Sequence, residues 1–190
     1  MKIRSFVLAV ALAVISVPQL YASDGKEKSE KELEKERQKR IEAVKDSIDF
    51  IHASRAVADR HFVLQADQLL FSRGGAVSAV PSTNFVMVNG DDGIVQVSPR
   101  VGGGPNGVGG ITVEGRLSGY KSRTDKKGNS LISFTVSGNG LSTQVDITLY
   151  AGSNRASARV TPTFRSGAVT LNGSLVPYDA SRVTSGSPLR

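Results

Sequence analysis

Hydrophobic and polar positions alternate along most of this chain, and the period of the alternation changes once. Ile41, Val44, Ile48 and Ile51 follow one another at steps of three and four, which places them on one stripe of an α-helix. Beyond Phe62 the period falls to two. Ile111, Val113 and Leu117 alternate with Thr112, Glu114 and Arg116, Ile132, Phe134 and Val136 with Ser133 and Thr135, and Val145, Ile147 and Leu149 with Asp146 and Thr148. Residues 156–160 and 169–175 repeat the pattern, and residues 62–71, 84–88 and 94–98 complete about eight such runs. Each reads as a strand with one wet face.

The runs are separated by hairpin chemistry: Asn89-Gly90-Asp91-Asp92-Gly93, Asp125-Lys126-Lys127-Gly128-Asn129, Gly138-Asn139-Gly140, Gly152-Ser153-Asn154 and Ser166-Gly167. Gly and Asn supply the positive φ that tight turns demand. Short strands joined by short turns predict a mainly β fold, an antiparallel meander closing as a β-sandwich or barrel of about eight strands, preceded by one long N-terminal helix. The predicted organisation is a signal peptide at 1–22, a charged helical spacer at 23–40, a docked amphipathic helix at 41–61, the β domain at 62–178 and a disordered tail at 179–190.

The first of these segments carries Lys2 and Arg4, an apolar run at 6–17, Pro18, and the small residue Ala22 at a cleavage point. That is the layout of a secretory signal peptide, and the run is too short for a bilayer core that needs about 20 residues. The expected address is therefore outside the cytoplasm, periplasmic or secreted, with no transmembrane segment once the signal is removed. Nucleic acid is not an expected partner there. The spacer holds eight basic and eight acidic residues between Ser23 and Asp46, so it is neutral overall and has little to bury. Its helix reads either as a coiled coil that binds a partner or as a spacer that becomes a docked helix. Arg55 breaks the apolar stripe after two heptads, which favours docking.

Composition narrows the chemistry. The 190 residues include no cysteine and only two histidines, His52 and His61, which removes disulfides, thiol catalysis, Cys-bound metal and lipoprotein acylation. No metal site or cofactor is expected. Gly102, Gly104 and Gly107 satisfy the letters of a dinucleotide fingerprint, but a strand follows where its mechanism needs a helix. The loop can still bring backbone amides close to a ligand, which makes Asn106 and Gly107 candidate contacts. Tyr120 continues the Glu114 and Arg116 side of its strand, and Tyr150 has the opposite parity to Leu149. Both tyrosines are therefore expected outside with Arg116 and Arg159, a composition suited to glycan or protein contact. In the other reading, the helix covers that face and the tyrosines cap it.

Phe85 within Asn84-Phe85-Val86-Met87-Val88, the stretch at 105–115, Tyr120, the Phe134 strand and Asp146-Ile147-Thr148-Leu149 together resemble the domain of unknown function 4251, a family of exported Bacteroidetes proteins. The resemblance spans residues 40–178. It implies a Gram-negative envelope address and a compact β domain, and it brings no activity and no functional residue.

Three functions stay open from sequence. The first is a non-enzymatic binding or interaction module, with a glycan or another envelope protein as partner. The second is a barrel-type carrier of a small apolar ligand, suggested by the small inward residues Gly115, Gly119, Ala156 and Ala158. The third is an envelope hydrolase using Asp67, Glu114 or Asp146.

Overall fold

The computed structural model describes residues 29–72, 74–98, 110–138, 140–163 and 167–183. Helix α1 runs over Glu30–Ala58, with the Ser29 amide donating to the Glu32 carboxylate at 3.2 Å as in a capping box. Nine strands follow: β1 His61–Phe71, β2 Ala76–Ser78, β3 Phe85–Asn89, β4 Asp92–Val97, β5 Ile111–Thr124, β6 Ser130–Gly138, β7 Leu141–Leu149, β8 Arg155–Pro162 and β9 Val169–Pro177. A single 3-10 turn, Tyr178–Ala180, comes after them.

Every neighbouring pair is antiparallel. Strand β1 meets β3 through Phe62 opposite Val88, and meets β9 through Phe62 opposite Pro177. That double pairing closes β1 and β3 to β9 into an eight-stranded barrel, and β2 pairs with the far half of β1 as an extra strand. The alternation therefore resolves as a barrel rather than a sandwich. Closure leaves the eight strands no free edge along most of their length.

The inward positions are the predicted ones. Ile132, Phe134 and Val136 on β6, Val145, Ile147 and Leu149 on β7, and Ala156, Ala158 and Val160 on β8 belong to one buried cluster with Phe62, Leu64 and Leu175. These side chains meet inside the barrel. Where two backbones approach too closely for a side chain, the sequence supplies glycine: a Cβ on Gly115 would lie 2.0 Å from the Ser137 carbonyl oxygen, and one on Gly173 would lie 1.9 Å from that of Gln65. Gly115 thus answers a close approach between strands and opens no cavity.

A second buried layer lies on the other side of β3 to β5. Val63, Phe85, Asn84, Gln96 and Thr112 are fully buried, with Ser98 donating its amide to the Asn84 side chain at 2.7 Å and Thr112 donating to Gln96. The polar alternation of β4 and β5 is therefore not all solvent-facing.

The helix corrects one expectation. The stripe predicted to dock, Ile41, Val44, Ile48 and Ile51, is 48–60 % exposed. Contact with the barrel core comes instead from Phe50, Ala53, Ala56 and Val57. Ala53 and Ala56 let the helix backbone approach the barrel closely, with Phe50 and Val57 packing beside them. Only the last turns of α1 carry side chains into the barrel core.

Candidate functional site

Strands β3–β4, β5–β6 and β7–β8 send their hairpin turns to the same barrel end as the C terminus of α1. The β5–β6 ribbon is the longest of the three, because β5 pairs with β4 only as far as Arg116 opposite Asp92 and then continues with β6 alone to Thr124. Its register slips between Ser118 and Lys121, at Gly119, whose φ is 65°. One extra residue on β5 reverses the alternation beyond that point. Gly119 therefore forms a bulge and is not an inward filler.

The bulge decides where Tyr120 goes, and it corrects the expected outward orientation. Tyr120 turns inward, stacks on Phe134 at a centroid separation of 5.9 Å, and donates its hydroxyl to the Val57 carbonyl at 2.8 Å. The Arg60 guanidinium lies 4.6 Å from the ring centroid. Burial pushes the phenol up to about 12, with Arg60 acting in the opposite sense. Tyr120 thus holds the helix end, which is the capping reading. Tyr150 does face solvent, 46 % exposed on the β7–β8 turn. The two tyrosines do not form one outward face.

The bulge also places Lys121 and Arg123 on the outer surface. Lys121 lies opposite Ser133, Ser133 opposite Asp146, and Asp146 opposite Arg159, giving one row across four strands. Arg123 begins the parallel row through Leu131, Thr148 and Ser157. Directly opposed side chains stand about 5 Å apart, so cations, hydroxyls and a carboxylate share one surface. A depression of about 480 Å³ lies between these rows, lined by Lys121, Arg123, Leu131, Ser133, Asp146 and Thr148. Asp146 accepts a hydrogen bond from Gln144 at 3.1 Å. Lys121 and Arg123 make no ion pair among the described residues.

Of the other expected contacts, Arg159 borders this groove through its register with Asp146. Arg116 stands apart in a 3.2 Å ion pair with Asp92, at the side of a smaller depression of about 380 Å³ that Asp92, Glu114 and Tyr178 help to line. Asn106 and Gly107 lie outside the described residues. Lys121 and Arg123 escaped the sequence reading, although Gly119 inside a strand pattern is a signal for a bulge and hence for a change of face.

The three carboxylates weighed for hydrolysis lie on β1, β5 and β7, none of which neighbours another. Asp67 is held by Arg155 at 2.6 Å and 3.2 Å. His61 packs on Tyr178 with centroids 4.7 Å apart, and its Nε2 lies 3.8 Å from Asp179, while His52 is exposed on α1. No three His, Asp or Glu side chains converge among the described residues. No helix of the described residues is long and apolar enough to cross a membrane.

A closed antiparallel barrel with a helix seated on its end and a polar groove on its wall defines the class of the protein. The model of the family described as a domain of unknown function, DUF4251, matches residues 45–175, and the chain belongs to that family. It is similar to the crystal structure of a DUF4251 family protein from Bacteroides eggerthii DSM 20697, with 41 % identity and a TM-score of 0.65 over 73 % of this chain and 94 % of that one. No curated protein matches the sequence.

Proposed function

We propose that this protein is an exported, non-enzymatic binding module of the cell envelope, and that the outer groove of β5 to β7 takes an anionic glycan. The observation that carries the reading is the pair Lys121 and Arg123, two cations without a carboxylate partner beside hydroxyl and carboxylate side chains. Cations can hold the acidic groups of such a ligand, while Ser133, Thr148 and Asp146 can exchange hydrogen bonds with its hydroxyls. Export is supported by the tripartite pattern of residues 1–22. Gly115 at a close backbone approach and Gly119 at a bulge take away two of the small inward residues that supported an apolar-ligand carrier.

The test is calorimetric titration with uronate oligosaccharides, using neutral oligosaccharides of equal length as the comparison. Wild type is expected to bind the uronate form preferentially and more weakly as salt rises. Lys121→Ala with Arg123→Ala is expected to weaken binding about tenfold or more, the loss of two charge-assisted contacts. Equal binding by wild type and the double variant, or no preference for the charged form, would overturn the reading.

A further inference from the structure

Helix α1 is two-faced from Gln38 onward, and its two faces point in opposite directions. At about 100° per residue, Phe50, Ala53, Ala56 and Val57 centre on one side, and these are the side chains that join the barrel core. Ile41, Val44, Ile48 and Ile51 centre roughly 180° away, on the exposed side. The charges divide along the same line. On the outward half stand Arg40, Lys45 and Arg55, with His52 among them and no carboxylate; on the other half stand Glu42, Asp46 and Asp49 with Lys39. Lys45 reaches back to Asp49 at 3.0 Å, and Arg40 and Arg55 form no ion pair among the described residues.

We infer that this outward face of α1, the Ile41, Val44, Ile48 and Ile51 stripe with its flanking Arg40, Lys45 and Arg55, seats on an anionic lipid surface. Aliphatic side chains enter the boundary between headgroups and acyl chains while long cationic side chains reach the headgroups, which is how basic amphipathic helices bind membranes. Charge favours this occupant over a second copy of the chain. The stripe follows a coiled-coil spacing, but the flanks of two such helices would bring Arg40 of one toward Lys45 of the other, and of the two only Lys45 has an acid beside it, Asp49 of its own helix. The inference stands independently of the glycan groove, which lies on the barrel wall.

The experiment is vesicle flotation with the full chain, expressed with export and purified, its N terminus read by mass spectrometry. Vesicles are phosphatidylcholine alone or phosphatidylcholine with one quarter phosphatidylglycerol. The protein is expected to float with the anionic vesicles, to ignore the neutral ones, and to be released by about 0.5 M salt, where screening is strong. Ile48→Asp with Ile51→Asp is expected to lower the bound fraction about tenfold, and Arg40→Ala with Lys45→Ala about fivefold. These positions are exposed, so unchanged thermal unfolding should accompany each loss; the cationic pair provides a second test if the aspartates impair expression. Equal flotation of wild type and both variants would overturn the inference, as would equal affinity for neutral vesicles. Sedimentation showing a wild-type dimer that Ile48→Asp makes monomeric would also overturn it, making a second copy the occupant.

Discussion

The Tyr120 hydroxyl reaches the carbonyl of Val57 across 63 positions of sequence, tying the β5–β6 ribbon to the last turn of α1 at 2.8 Å. That carbonyl belongs to the group of helix-terminal acceptors that have no partner within the helix. It also receives the Arg60 amide at 3.2 Å, so removing the phenol leaves it one donor. Tyr120→Phe is therefore expected to cost about 1 kcal/mol and not the larger penalty of an orphaned acceptor. Tyr120→Ala, which also removes the stack on Phe134, should cost about 3 kcal/mol. Urea unfolding of the three proteins measures both.

The same phenol gives a pH dependence of definite sign. Its pKa in the folded state is pushed up to about 12, while a free tyrosine ionises near 10. Below pH 10 both states hold the proton and stability is unaffected. Between the two values the native state binds more protons than the unfolded one, so stability falls as pH rises. The loss should reach about 1 kcal/mol by pH 12, because the ring is only half-buried and solvent screens part of the effect. Absorbance near 295 nm should show one phenol titrating late in the native protein, and Tyr120→Phe should remove that step.

Tyr120 also shows where a sequence stops being legible. The strands of β6 and β7 were readable because Ile132, Phe134 and Val136, and Val145, Ile147 and Leu149, keep a strict period of two with one face buried. On β5 the period is broken by one residue at Gly119, and everything beyond changes side, Lys121 and Arg123 included. A one-residue slip carries no mark in hydropathy. The docked face of α1 is hard to see in the sequence for a different reason: the large aliphatics mark the exposed stripe, while the buried face mixes Phe50 and Val57 with the small Ala53 and Ala56. The barrel's closure depends on β1 pairing with β9, about a hundred residues apart, which no local pattern records.

Arg155 and Asp67 support that closure from outside. The guanidinium donates to both carboxylate oxygens, at 2.6 Å and 3.2 Å, and Asp67 sits in the β1 bulge between Ala66 and Gln68. Arg155 is held above its ordinary range first by the Asp67 hydrogen bond, against a desolvation penalty. Both side chains are about half exposed, so geometry favours the pair and solvent weakens it. A double-mutant cycle with Arg155→Ala and Asp67→Ala should give a coupling of about 0.5–1 kcal/mol, smaller in 1 M salt.

Gly173 opposes the same bulge, and its substitution separates two reasons for conserving space in a β-barrel. A Cβ there would lie 1.9 Å from the Gln65 carbonyl oxygen and 2.7 Å from the Ala66 Cα, both backbone atoms that cannot move without disturbing the β1–β9 pairing. Gly140 is different: its φ of 75° disfavours a side chain, yet nothing lies within 4 Å of a Cβ there. Gly173→Ala is therefore expected to cost about 3 kcal/mol or more, through overpacking against fixed backbone. Gly140→Ala should cost about 1 kcal/mol, the price of a left-handed conformation in open space. Thermal unfolding of the two variants distinguishes the mechanisms. Equal losses would mean that the β1–β9 seam relaxes around the added methyl and that backbone contact there does not control closure.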